Sequence, residues 1–195
     1  MDNMQAWVRF ILETDRLKSV YRQTYITDAS RQENSAEHSW HLALMAMTMK
    51  DAANWPELDM LKVVKMLIVH DIVEIDAGDT FAYDEKGHED KAERESKAAG
   101  RIFGLLPPEQ RDEMLALWEE YEAHETPEAR FALALDRLHP MLLNLHSEGA
   151  AWRNHGITSK RVLERNRVIA DGSEALWEIA QQIVAEALDK RYLPE

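Results

Sequence analysis

His38, the adjacent pair His70-Asp71 and Asp136 are the residues of this chain best suited to chemistry. Together they form a mixed nitrogen and oxygen donor set of the kind that holds a divalent transition metal and leaves positions open for water or substrate. His70-Asp71 closes an apolar run, Val63-Val64-Lys65-Met66-Leu67-Ile68-Val69. A carboxylate at the end of a buried run needs a paired charge, hydrogen bonds or a metal. Glu74 follows one helical turn later and Asp79 shortly after, two spare carboxylates for proton transfer or for orienting water. Water bound to a metal is a strong nucleophile near neutral pH, so the set suits metal-assisted hydrolysis, most naturally of a phosphate ester.

These residues need helices to position them. Residues four apart on a helix share a face, while adjacent ones point about 100° apart. His70 and Asp71 therefore reach one ion only over a helix end, with Glu74 on the same side. His38 and Asp136 come from an earlier and a later helix, so three helices converge on one point. Helical spacing runs nearly throughout. Ser35 to Ala53 carries Leu42, Met45, Ala46 and Met49, with Ser35 as the expected N-cap. Leu58 to Val73 is uniformly apolar and therefore expected to be central, and Ile75 to Gly87 reads as a loop. Glu89 to Phe103 is amphipathic, and Pro107-Pro108-Glu109 opens a helix to about Ala123. Thr126-Pro127-Glu128 starts another, with Phe131, Leu135, Leu138 and Leu142 at helical spacing up to Leu145. Glu148 to His155 reads as a connection, and Thr158 to Ala170 and Ser173 to Leu188 complete the chain as helices. No alternating stretch marks a strand, and the expected architecture is one all-α domain over residues 1–195.

In order, His38, His70-Asp71 and Asp136 resemble the H…HD…D signature of the HD-domain metal-dependent phosphohydrolases. The segment Glu33-Asn34-Ser35-Ala36-Glu37-His38-Ser39 is similar to the E-N-x-x-E-H-S stretch of the bacterial 5′-deoxynucleotidases in that superfamily. His70-Asp71-x-x-Glu74 followed by Gly78-Asp79 resembles their HDxxE…GD stretch. The likeness spans about Leu17 to Asp136, the C-terminal helices at about 158–188 adding little. It implies a helical HD-domain bundle and one divalent metal on His38, His70, Asp71 and Asp136. Manganese or cobalt is the first choice of ion, with magnesium, zinc, nickel or iron as alternatives. It also implies hydrolysis of nucleoside 5′-monophosphates, with Glu74 and Asp79 as catalytic residues and a basic residue near the N-terminus on the phosphate. In the stretch Leu17-Lys18-Ser19-Val20-Tyr21-Arg22 that role falls to Lys18 or Arg22, and Arg31 is a further cation.

Composition narrows the partners. The net charge of −13 disfavours a polynucleotide but not a small phosphorylated substrate. The apolar patch in Met1 to Val20 is broken by Arg9, Glu13, Asp15 and Arg16, unlike a signal peptide or a membrane span. With no cysteine, thiolate metal sites are excluded and a cytoplasmic location fits. A homodimer is the expected assembly. The runner-up to a 5′-deoxynucleotidase is a metal-dependent nucleotide- or partner-binding module without catalysis, or a phosphohydrolase for another small nucleotide.

Other residues carry plainer expectations. His41 and His139 read as hydrogen-bonded neighbours of the site, and His88 and His124 lie in loop-like or charged surroundings outside a one-metal centre. Glu37 either orients an imidazole or is a first-turn carboxylate favoured by the helix dipole. Asp84, Glu85, Glu89 and Asp90 read as a solvated run. Trp40, Met45, Met47 and Met49 read as packing. Trp152, Arg153, His155 and Arg161 read as an exposed turn.

Overall fold

In the computed structural model, which describes residues 3–194, three helices frame the centre of the molecule. α1 spans Asn3–Thr14, α2 Ser35–Met49 and α3 Met60–Val69. The shorter α4 covers Glu74–Ala77, α5 Lys91–Phe103 and α6 Pro108–Ala123. α7 spans Pro127–His146, and the site lies among α2, the turn that follows α3, and α7. Four more follow: α8 Ala150–Asn154, α9 Ser159–Asn166, α10 Ile169–Gly172 and α11 Glu174–Asp189. The fold is all-α apart from one short hairpin, and among the described residues no helix is long and apolar enough to cross a membrane.

α7 is the axis. Thr126 caps it by accepting the Ala129 N–H at 3.3 Å, and Pro127 occupies the first turn, where its missing N–H costs nothing. Phe131, Leu135 and Leu138 are fully buried against Leu42 and Ala46 of α2, Val63, Met66 and Leu67 of α3, and Ile183 and Val184 of α11. Each such side chain contributes about 1.5–3 kcal/mol by leaving water. A second apolar cluster joins Phe10 of α1 and Ile102 and Phe103 of α5 to Val69, Ile72 and Val73. Pro140 sits inside α7 and has no N–H to donate to the carbonyl of Asp136, so the helical ladder is interrupted at the turn that carries Asp136.

Several local expectations are corrected. The N-cap of α2 is Asn34: its Oδ1 accepts the Glu37 N–H at 2.9 Å, while the Glu37 carboxylate accepts the Asn34 N–H at 3.3 Å. α3 stops at Val69, and His70–Val73 forms a tighter 3₁₀ turn before α4 begins at Glu74. In a 3₁₀ turn, residues three apart eclipse each other, which stacks Asp71 and Glu74. Two strands that no alternation announced, β1 (Tyr21–Tyr25) and β2 (Gln32–Asn34), pair antiparallel with Tyr21 opposite Asn34 and Tyr25 opposite Gln32. The hairpin carries Arg22 on one strand and Glu33 on the other. The stretch read as a connection contains α8, whose Trp152 is buried, whereas Arg153, His155 and Arg161 are exposed.

Candidate metal centre and its cavity

Four side chains from α2, the 3₁₀ turn and α7 converge, and three of them, His70, Asp71 and Asp136, line a cavity of about 390 Å³. His38 Nε2 lies 2.9 Å from Asp136 Oδ1. His70 Nε2 lies 3.0 Å from Asp71 Oδ1 and 4.0 Å from Asp136 Oδ1. Ligand atoms of His38, His70 and Asp71 fall within 4.8 Å of one another, and all three residues are buried.

The outer contacts turn the imidazole nitrogens inward. His70 Nδ1–H donates to the carbonyl of Leu67 at 2.9 Å, which leaves a lone pair on Nε2. That Nε2 is buried without a hydrogen-bond partner although Asp71 Oδ1 lies 3.0 Å away, an orphaned polar atom that a bound cation would satisfy. His38 Nδ1 lies 3.0 Å from His139 Nδ1 and 3.5 Å from Glu33 Oε2, and His139 Nε2 lies 2.9 Å from His41 Nδ1. His38 is thus the first of three linked rings, and His41 and His139 stand behind the cluster. Burial, reinforced by the positive charges of His38 and His41, holds His139 well below the usual histidine range, so it stays neutral. This donor set fits a divalent ion: two imidazole nitrogens and two carboxylates converge, and one nitrogen lacks any other partner.

The remaining carboxylates surround the same point. Glu74 is buried and accepts from Ser35 Oγ at 2.6 Å through Oε2. Burial raises Glu74 well above the ordinary carboxylate range, with repulsion from Asp71 and Asp79 outweighing the attraction of Arg22. Burial also raises Asp79, helped by Asp71 and opposed by Arg22. Asp136 goes the other way. Burial works against its ionisation, yet the His38 hydrogen bond and the charges of His38, His70 and Arg137 hold it well below the usual value.

Gly78 ends α4 at φ +75° and ψ 151°, a backbone region essentially reserved for glycine, and this turn delivers Asp79 to the cavity. Arg94 of α5 staples the following loop. Its guanidinium donates to the carbonyls of Ala77 and Gly87 and to Thr80 Oγ1.

Of the three cations considered for phosphate, Arg22 lines the cavity. Its Nη1 donates to Asp71 Oδ2 at 3.0 Å and lies 3.9 Å from Asp79, while Nε is 3.7 Å from Glu33. Burial opposes its charge, but Asp71, Asp79, Glu74 and Asp136 together raise its proton affinity, so Arg22 is permanently cationic. Lys18 is exposed and pairs with Asp15, and the structure places it outside the cavity wall. Arg31 is exposed and forked onto the Glu37 carboxylate at 2.7 and 2.8 Å. Glu37 therefore caps α2 and pairs with Arg31, and Glu33 is the carboxylate beside the imidazole. Glu33 opens the segment that ends in His38-Ser39, but no rule of spacing assigns it that place, because the hairpin supplies it.

The model of the HD domain family matches residues 14–177. The chain belongs to the HD domain family. Among curated HD-domain relatives, human 5′-deoxynucleotidase HDDC2 is 34% identical over 71% of this chain and 66% of its own length. The zebrafish (Danio rerio) protein of the same name is 32% identical over 75% of this chain and 70% of its own. The chain thus spans about two thirds of the length of the curated relatives it matches. A crystal structure described as a predicted metal-dependent phosphohydrolase from Magnetospirillum magnetotacticum superposes with a TM-score of 0.94 at 50% identity, covering 99% of this chain and 96% of that one. A conserved hypothetical protein from Pyrococcus furiosus shares the HD fold at a TM-score of 0.66 and 23% identity, over 90% of this chain and 98% of that one.

Proposed function

We propose that this chain is a metal-dependent 5′-deoxynucleotidase that releases phosphate from deoxynucleoside 5′-monophosphates. The observation that carries it is the unpartnered Nε2 of His70, facing Asp71 and Asp136 in the wall of a cavity that Arg22 and Glu74 also line. The names of the HDDC2 relatives and of the Magnetospirillum structure support the same reaction class.

His38, His70, Asp71 and Asp136 would hold one divalent ion, manganese or cobalt first, which would polarise the phosphoryl group and lower the pKa of water. Arg22 would bind the phosphate oxygens and offset charge that grows on them in the transition state. Glu74, pinned through Oε2 by Ser35, has Oε1 left to hold or take the proton of the attacking water. Asp79 would serve the leaving 5′ oxygen, with Arg22 as its nearby countercharge. Exposed Trp40, Leu44 and Met47 on α2 support a homodimer, checked by light scattering, and the enzyme is assigned to the cytoplasm, checked by fractionation.

Metal-stripped protein reloaded with manganese, cobalt, magnesium or zinc is tested against a panel of ribo- and deoxynucleotides. Phosphate release from deoxynucleoside monophosphates is the expected result. Tight binding without release under every metal would instead mark a binding module.

A further inference from the structure

In the same cavity that Arg22 lines, two further guanidinium groups stand without a counterion. Arg137 follows Asp136 on α7, and Arg165 lies on α9; both are only partly exposed and both line the cavity. Among the described residues neither has a carboxylate within ion-pair distance, although the chain carries 36 acidic residues against 23 basic ones. The Nε of each is buried with no hydrogen-bond partner, and so is Nε2 of His88, which lines the same cavity. Arg165 lies 5.7 Å from the ring centre of Tyr83, a contact that carries no negative charge to neutralise it. Burial, then the repulsion of Arg137, brings the proton affinity of Arg165 down to about 10. Asp136, the acidic neighbour of both, is already committed to His38 at 2.9 Å.

Two like charges gathered in one partly desolvated wall cost free energy unless a ligand offsets them. A neutral base or sugar does not supply that charge. We propose that Arg137 and Arg165, with His88 beside them, form a second anion subsite that takes a second phosphate of the substrate. The preferred ligand class is then a nucleoside 3′,5′-bisphosphate, with its 5′ phosphate at the metal and Arg22 and its other phosphate at Arg137 and Arg165. This rests on the nucleotidase reading for the first phosphate only. The reaction remains hydrolysis of one phosphate ester: water adds to phosphorus, the P–O5′ bond breaks, and the leaving oxygen takes a proton.

The test uses manganese-loaded protein carrying Glu74→Gln, so that ligands are bound but not consumed. Calorimetric titration compares deoxyadenosine 5′-monophosphate with 2′-deoxyadenosine 3′,5′-bisphosphate, and inorganic phosphate added with the monophosphate serves as a separate arm. The bisphosphate is expected to bind about ten- to a hundredfold more tightly, as charge-assisted contacts to a second phosphate imply. That preference is expected to fall to about twofold or less when Arg137→Gln and Arg165→Gln are added, and to survive in part with Arg165→Lys. Equal affinities in the parent, or a preference that outlasts both Gln substitutions, would overturn the subsite. Phosphate that binds alongside the monophosphate and is lost with the two arginines, in a protein that shows no preference for the bisphosphate, would place a free anion there and overturn the bisphosphate assignment. Bisphosphate binding that depends on the arginines, with no monophosphate binding and no monophosphate turnover by the unsubstituted enzyme, would keep the subsite and sink the mononucleotidase reading. Monophosphate turnover by the unsubstituted enzyme, without any preference for the bisphosphate, would do the reverse, and no binding of either would remove both.

Discussion

Arg22 and Asp71 share one carboxylate between two tasks. Nη1 of Arg22 donates to Asp71 Oδ2 at 3.0 Å, while Oδ1 of the same group lies 3.0 Å from His70 Nε2. The oxygen that faces the imidazole is therefore oriented by a cation on its other side, and that cation also opens onto the cavity. Arg22→Met is expected to lower kcat/KM by about a hundredfold, the scale of losing one charged donor at a developing anion. Lys18→Met should stay within about twofold, because exposed ion pairs contribute little. Steady-state kinetics on the two variants decides between the cations, and equal losses would return Lys18 to the site.

Asp71→Ala and Glu74→Gln should separate. The first removes a donor from the converging set and is expected to abolish metal retention together with turnover. The second keeps size and the Ser35 contact but not the ionisable group, so metal content should persist while kcat falls by about 10²–10⁴-fold. Metal analysis after gel filtration, paired with phosphate release, reads both. A metal-loaded, active Asp71→Ala protein counts against the centre.

Metal affinity should climb with pH. Burial and Arg22 oppose the charge on His38, but Asp136, Glu33 and Asp71 outweigh them and raise its value to about 9. Binding an ion uses the neutral ring, so it displaces that proton. Apparent affinity is then expected to rise about tenfold per pH unit below that value and to level off above it. The metal-stripped fold has the opposite sign. A raised folded-state value favours folding below the unfolded value, and the gain is lost as pH rises through about 9. Manganese titrations and denaturant melts of stripped protein between pH 6 and 10 would test this, and a flat affinity profile would contradict it.

Gly78→Ala should be costly although the site has open space around it. Nothing lies within 4 Å of an added Cβ, so the penalty comes from φ +75° alone, about 1–3 kcal/mol in such a region. Urea denaturation measures the loss. Because Asp79 follows directly, activity should fall along with it, and a variant of unchanged stability would show that the turn relaxes freely.

The chemistry was more legible than the geometry. Histidines and aspartates announce themselves by type, and the starts of α6 and α7 are marked by prolines and, for α7, a threonine cap. The 3₁₀ turn at His70–Val73 left no such mark, because it contains neither proline nor glycine and packing decides where the helix tightens. The β1–β2 pair is too short for alternation to show, yet it brings Arg22 and Glu33 to the imidazoles. Trp152 looked like turn filler because Gly149 and Gly156 flank it, and only the packing of α8 shows it as core. Arg137 and Arg165 are separated by a whole helical turn-and-return, so no local pattern pairs them.

The chain has no cysteine, yet the cluster proposed to hold the metal joins residues 98 positions apart, His38 on α2 and Asp136 on α7. An ion held there is a reversible cross-link. Like a disulfide closing a long loop, it would disfavour the unfolded chain, but its strength would be set by the free concentration of the metal rather than by redox conditions. Stability and catalytic competence would then be drawn from the same ion and be lost together when it is withdrawn.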